Sequence, residues 1–277
     1  MRPTTLFKKA LSRIISRFGS ASPMCGAINK YSLWLDQSNS LSSFFELNRK
    51  SDGAWGLKNA VFEKDEELLK LFMRYGENQR AQLLQDLAYL KFFKPSGPDG
   101  FFVEVGAGDG VHVSNTYFFE KEFGWHGLLV EPNPAFHASI RKHRTAHLET
   151  RAAFSSAADA APFLAHGELS HLGGSNRPDG HVHAGQEIDV STATLTRIFD
   201  DNDAPETINY MSIDTEGSEL EILMGLDFDR YKIDFLTIEH NFVDEKRKRI
   251  REYMTSAGYA FSSSAASLWD DWYIRPA

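Results

Sequence analysis

Phe101-Phe-Val-Glu-Val-Gly-Ala-Gly-Asp-Gly110 is the stretch on which the reading of this chain turns. Phe101 to Val105 is a short apolar run interrupted by one acid, Glu104, and it is followed by glycines at 106, 108 and 110. Such a run, bounded by turn residues, predicts a buried parallel strand. Glycines directly after it let the backbone turn tightly and approach a ligand closely, because they carry no Cβ. In an open α/β sheet, ligands bind at the carboxyl ends of the strands, where this loop would lie. A dinucleotide fingerprint, G-x-G-x-x-G, would need glycine at position 111, which is Val111. The spacing here is therefore G-x-G-x-G.

Outward from this loop the βα rhythm continues. A second strand, Gly127 to Val130, ends in Glu131-Pro132. An acid in that place can take both hydroxyls of a ribose, or cap the helix that starts near Pro134. His147 to Arg151 reads as strand three, Ile208 to Ile213 as strand four ending in Asp214, and Phe235 to Ile238 as strand five ending in Glu239-His240. Between them, helices are expected over Tyr117–Glu122, Pro134–Lys142, Thr192 (as cap) to Asp200, Ser218–Met224 and Glu245–Ser256. Gly258–Ser262 with Trp272–Arg275 reads as a closing antiparallel pair. Ahead of the first strand, leucine spacing predicts helices over Glu63–Tyr75 and Gln79–Phe93. Residues 155–190 break the rhythm and read as a long flexible loop or lid, flanked at most by a hairpin. His166, His171, His181 and His183 lie in it with no cysteine nearby, which argues for substrate contacts rather than a structural zinc site.

The chain has 277 residues, 42% of them hydrophobic and 13% aromatic, enough for one large α/β domain with a full core. Its single cysteine, Cys25, rules out an intramolecular disulfide and fits a reducing compartment. No apolar run reaches the roughly 20 residues a membrane span needs. The formal charge is −8, yet residues 1–35 contribute six basic groups and no acid, leaving −14 on the rest. A body so acidic disfavours a nucleic-acid partner. Within the basic segment, residues 5–18 form an amphipathic pattern with Lys8, Lys9, Arg13 and Arg17 on one face. It suits an anionic membrane surface, packing on the core or a partner subunit, or organelle targeting. Two regions follow: a 1–60 extension and a 61–277 catalytic domain with its insertion at about 155–190.

Several linked motifs resemble the FkbM-type family of S-adenosylmethionine-dependent class I methyltransferases. They are Phe102-Val-Glu-Val-Gly-Ala-Gly-Asp-Gly110, Ser114-Asn-Thr116, Gly124-Trp-His-Gly-Leu-Leu-Val-Glu-Pro132, Ile213-Asp-Thr-Glu-Gly-Ser-Glu219, Ile238-Glu-His-Asn241, Asp270-Asp-Trp-Tyr273 and Gln82-x-x-Gln85-Asp86. The resemblance implies a Rossmann-like sheet of seven strands, mostly parallel with one antiparallel. It also implies transfer of a methyl group to a hydroxyl of a sugar, glycan or glycosylated natural product. Carried over by position, Glu104, Gly106, Ala107 and Gly108 would line the methionine part of the cofactor and Glu131, with Pro132, the ribose. Asn115 and Asp214 would lie close to the cofactor, and Gln85 and Asp86 would also bind it. The family often has Asn where this chain has Gly108, so one side-chain contact is absent here.

Methylating a hydroxyl requires alignment of the acceptor and removal of its proton. His240, beside Glu239, is one candidate base and Asp214 the other. Asp214, Glu216, Glu239 and His240 are also hard ligands that suit magnesium. Trp269, Asp270, Asp271 and Trp272 either face the acceptor or, in the case of Trp272 and Tyr273, fill the core. A nicotinamide-dependent oxidoreductase is the rival enzyme class, disfavoured by the glycine spacing. A non-catalytic scaffold is the rival outside enzymes, and three acids on one rim speak against it. The expected location is the cytoplasm, at a membrane face if residues 5–18 dock there.

Overall fold

In the computed structural model, the residues described are 65–75, 78–95, 97–167, 169–173, 185–262, 267 and 269–276. The basic segment 5–18, Cys25, His181 and His183 lie outside them. The chain divides into two units, Met1–Glu77 and Asn78–Ala277. In the first, helix α1 spans Glu66–Tyr75. Among the described residues no helix is long and apolar enough to cross a membrane.

The second unit holds, in order, α2 (Gln85–Phe92), β1 (Phe101–Val105), α3 (Tyr117–Phe123), β2 (His126–Val130), α4 (Pro134–His143), β3 (His147–Glu149) and β4 (Ala152–Ala153). There follow β5 (Ala158–Ala165), β6 (His171–Leu172), β7 (Gln186–Ala193), α5 (Leu195–Asp201), β8 (Thr207–Ile213) and α6 (Glu219–Met224). The chain closes with β9 (Lys232–Glu239), α7 (Asp244–Ser256), β10 (Ala260–Ser262) and β11 (Asp270–Ile274). Seven strands form one sheet in the order β10-β11-β9-β8-β1-β2-β3. Every pairing from β9 to β3 is parallel, while β11 runs antiparallel to both β9 and β10. The sheet thus has one antiparallel strand, next to its edge, as expected.

The continuous apolar runs of β1, β2, β8 and β9 are buried because helices cover both faces of a parallel sheet. From β1 the chain winds outward through β2 and β3, then returns to the other side of β1 as β8. The crevice of the fold therefore opens at the carboxyl ends of β1 and β8, where the winding reverses. On the opposite side of the core, Phe119 stacks on Trp125 at 4.8 Å, and Tyr89 of α2 meets both rings edge-on. That cluster seats α2 against the sheet and fixes where Gln85 and Asp86 sit.

Three local expectations are corrected. The helix expected over 79–93 begins only at Gln85, because Leu84 takes a left-handed conformation with φ 63°. Residues 79–84 are instead held as a turn by Asp86, whose carboxylate accepts N–H bonds from Arg80, Ala81 and Leu87. The helix cap is Thr194, not Thr192: β7 extends to Ala193, and the Thr194 hydroxyl accepts from Arg197 N. The described parts of 155–190 are mostly strand rather than loop. β5 and β7 pair antiparallel, and with β4 and β6 they make a second sheet of four strands. The alanine-rich β5 with its Pro162 gives no strand signal, and pairing with β7 supplies what propensity does not.

Gly106 ends β1 at φ 86°, and a Cβ there would lie 1.8 Å from the backbone oxygen of Asp214. The first turn of the loop thus runs directly over the end of β8. Gly106→Ala is expected to cost roughly 2–5 kcal/mol through combined strain and overpacking. A denaturant melt reads it, with Gly108→Ala, whose Cβ would meet nothing within 4 Å, as the mild comparison.

Candidate active site

Glu104, the only acid in β1, is buried. Its carboxylate accepts hydrogen bonds from Ser114 Oγ (2.8 Å), Asn115 N (2.6 Å) and Thr116 Oγ1 (2.6 Å). Burial pushes its pKa up, although Arg144 and these donors pull the other way. Arg144 Nη1 stands 3.7 Å from the carboxylate and donates to Gly110 O and Ser114 Oγ. Its other nitrogens reach Thr116 Oγ1 and Glu120. Glu104 is therefore part of the framework that shapes the glycine loop, besides lining the cavity above it.

That cavity, of about 210 Å³, opens at the ends of β1, β2 and β8. Gly106, Ala107, Gly108, Asn115, Glu131 and Pro132 all line it. Glu131 takes one backbone N–H on each oxygen, from Gly108 at 2.7 Å and from Asn133 at 2.8 Å. Burial raises its pKa to about 7 against those two bonds. Phe136, Phe163 and Leu172 add an apolar wall, and His171 of the second sheet also reaches it. Neither that wall nor Arg144 is marked by any motif, since they come from α4 and the inserted strands. An aromatic or leucine there reads in sequence as ordinary core.

Asp214 and Glu239 end neighbouring parallel strands, which brings them to one rim. Burial lifts the Asp214 pKa to about 7, with the negative charges of Glu216 and Glu219 adding to it. Glu239 is raised by burial and by Asp214. Oxygens of Asp214, Glu216 and Glu239 lie within 4.8 Å of one another, close enough for a single ion. Glu216, Asn241 and Phe242 all have positive φ, at 59°, 50° and 58°. Such strain around a rim of acids is typical of a site held in shape by its surroundings.

His240 points elsewhere. Its Nδ1 accepts from Phe242 N, and its Nε2 lies 3.6 Å from Asp271 Oδ1. Asp271 is also bound by Arg247 and Arg251, and together these partners outweigh burial and hold its carboxyl well below the usual range. Successive residues along a strand face opposite ways, so His240 joins Asp271 on one face while Glu239 joins Asp270 on the other. His240 lines neither described cavity. Gln85 lines a smaller cavity beside Glu239 and Trp269, and Asp86 lines neither. Trp272 and Tyr273 are fully buried core.

Residues 104–261 match the FkbM methyltransferase domain, more than half of the chain. This chain belongs to the FkbM methyltransferase domain family. Membership carries S-adenosylmethionine with it as the cofactor. No curated protein matches the chain. Among solved structures, methyltransferase FkbM from Methylobacillus flagellatus KT is 15% identical with a TM-score of 0.45. The match covers 84% of this chain but 58% of that one, so the present chain spans less than two thirds of that relative. Precorrin-6y C5,15-methyltransferase from Geobacter metallireducens GS-15 is 16% identical, with 68% and 79% coverage and a TM-score of 0.38. Phosphoethanolamine N-methyltransferase 2 from Haemonchus contortus, solved with S-adenosyl-L-methionine, is 14% identical, with 77% and 43% coverage and a TM-score of 0.33. These likenesses are too remote to carry a residue's role across.

Two expectations follow from the site. Arg144→Met removes the guanidinium shared by the buried carboxylates of Glu104 and Glu120 and is expected to cost about 3 kcal/mol, read by denaturant unfolding. Separately, an acid whose folded pKa is raised contributes stability that is complete below its unfolded pKa and lost as pH climbs through the folded one. For Asp214 that window runs from 3.8 to about 7. The Tm of the unliganded protein should therefore fall between pH 5 and 8, and Asp214→Asn should flatten the fall, raising Tm at pH 8 by several degrees.

Proposed function

We propose that this chain transfers a methyl group from S-adenosylmethionine to a hydroxyl of a sugar, a glycan or a glycosylated natural product. The observation that carries the reading is the convergence, around one cavity, of the glycine loop after β1, Glu131 after β2, and Asp214 and Glu239 after β8 and β9. The residues present fit the cofactor. Gly106 and Gly108 leave backbone open to the methionine end, and Glu131 keeps acceptor capacity beyond the two N–H bonds it already takes. Phe136, Phe163 and Leu172 offer an apolar slot for a base. When bound, S-adenosylmethionine supplies a methyl group already activated on a sulfonium centre.

The protein's part is to hold the acceptor oxygen in line and to take its proton. Asp214 suits the second task. A carboxyl with a pKa near 7 is half-ionised at neutral pH and so is a competent base there. Burial keeps that pKa up, with like-charge repulsion from Glu216 and Glu219 adding to it. His240, held between Phe242 N and Asp271, serves instead to position the 239–242 turn. Asp214 would take the hydroxyl proton as the acceptor oxygen receives the methyl group and the methyl–sulfur bond of the sulfonium breaks.

The test is calorimetric titration with S-adenosylhomocysteine. Wild type should bind in the micromolar range and Glu131→Ala at least tenfold more weakly; absence of binding by wild type would overturn the cofactor assignment. With labelled cofactor and a panel of sugar acceptors, Asp214→Asn should lower kcat by about 10²–10⁴ with little change in cofactor affinity.

A further inference from the structure

Beside the cofactor cavity lies a second, much smaller one of about 10 Å³. That volume admits one water molecule or one small ion. It sits where β9 and β11 run antiparallel, and their register sets Glu239 directly opposite Asp270. Side chains so paired share a face, and like charges directly opposite one another are destabilising. Both residues are buried, at 7% and 3% exposure. Asp271, next along β11, is neutralised by Arg247 and Arg251. Among the described residues, no lysine, arginine or histidine lines the small cavity.

Glu239 Oε2 and both oxygens of Asp270 are buried without a hydrogen-bond partner. Gln85 and the Trp272 indole stand near Asp270 and ease the penalty of its burial, but neither closes a bond to it. Independently, Asn115 lines the same cavity, is 7% exposed, and spends its Nδ2 on Ser212 Oγ while its Oδ1 is left without a partner. Four buried acceptor oxygens thus border a space the size of one ion. Leaving such atoms unpaired costs free energy, and an occupant that is purely electron-accepting would satisfy them together. All-oxygen donor sets with two carboxylates suit hard divalent cations.

We propose that this niche is a binding site for one hard divalent cation, magnesium or calcium, held by Asp270, Glu239 and the Asn115 side-chain carbonyl. Glu239 also belongs to the rim group of Asp214, Glu216 and Glu239, and Asp214 borders both, but the niche is distinguished by Asp270 of β11 and excludes Glu216. An ion there would hold Asn115 and Glu239 in fixed positions on the wall of the cofactor cavity. The inference does not depend on the methyl-transfer reading, because binding of the ion is measured without cofactor or acceptor.

Terbium is the probe, since it binds oxygen-rich cation sites and emits when an indole close by is excited. Trp269 lines the niche and Trp272 adjoins Asp270. Titrating the full chain with terbium under excitation at the tryptophan band should give sensitised emission that calcium or magnesium displaces. Asp270→Asn should weaken binding at least tenfold, whereas Glu216→Gln, which touches only the rim group, should leave it within twofold. Asn115→Asp adds a carboxylate to the donor set and should tighten binding, which guards against reading a folding defect of the Asp270 variant as loss of the site. Absence of sensitised emission in wild type would overturn the proposal and leave the niche to protonated carboxyls or a water. Loss with Glu216→Gln and retention with Asp270→Asn would overturn it too, by moving the ion to the rim.

Discussion

The buried contact between Glu104 and Arg144 is the constraint on which the rest of the site depends. Glu104 reaches forward from β1 to fix the Ser114–Thr116 turn, and Arg144 reaches across from the end of α4 to the same turn and to Gly110 O. Both ends of the glycine loop are thereby tied from below by side chains. Desolvating two charges is expensive, and a buried pair repays it only when the remaining donors and acceptors are also satisfied. Here Ser114 and Thr116 serve both partners, donating to the carboxylate while accepting from the guanidinium. The loop can then leave its upper surface free, with Gly108 open to the cavity.

Across the cavity the electrostatics change character. Around Glu104 and Glu131 each carboxylate oxygen has donors. At the rim, Asp214 and Glu239 face each other and further acids, and their pKa values rise together. Under the proposed reaction, a cationic cofactor and an acceptor hydroxyl would supply what that region lacks, a positive charge and a proton to share. The strained turns at Glu216 and at Asn241–Phe242 keep the acids close despite their repulsion, with Asn241 Nδ2 bonded to Glu216 and two N–H groups bonded to Trp269 O.

Much of this was legible in the sequence because parallel strands write themselves as short apolar runs, and their terminal acids name the rim. The strands ending in Glu131, Asp214 and Glu239, the loop glycines and the closing antiparallel pair were all read from local pattern. Where side chains act through distant partners, local pattern fails. Asp86 sits in an apparently helical stretch, yet its carboxylate accepts from the backbone N–H groups of Arg80 and Ala81 in the turn before it, and the helix starts only at Gln85. In the second sheet β5 has alanine and proline where strong strand formers would be expected, and only its pairing with β7 defines it.

By itself, then, the sequence determined the order of elements, the sheet type, the rim acids and the family, because each depends on contacts near in the chain or on a motif of fixed spacing. Tertiary structure alone decided which acids share a face. Glu239 and His240 are neighbours in sequence, as are Asp270 and Asp271, but the alternation of the strand and the register of β9 with β11 sort them into two pairs. One pair, His240 with Asp271, is closed off by two arginines; the other, Glu239 with Asp270, borders an ion-sized space. Register is a property of two strands far apart in the chain, and no single stretch of sequence carries it.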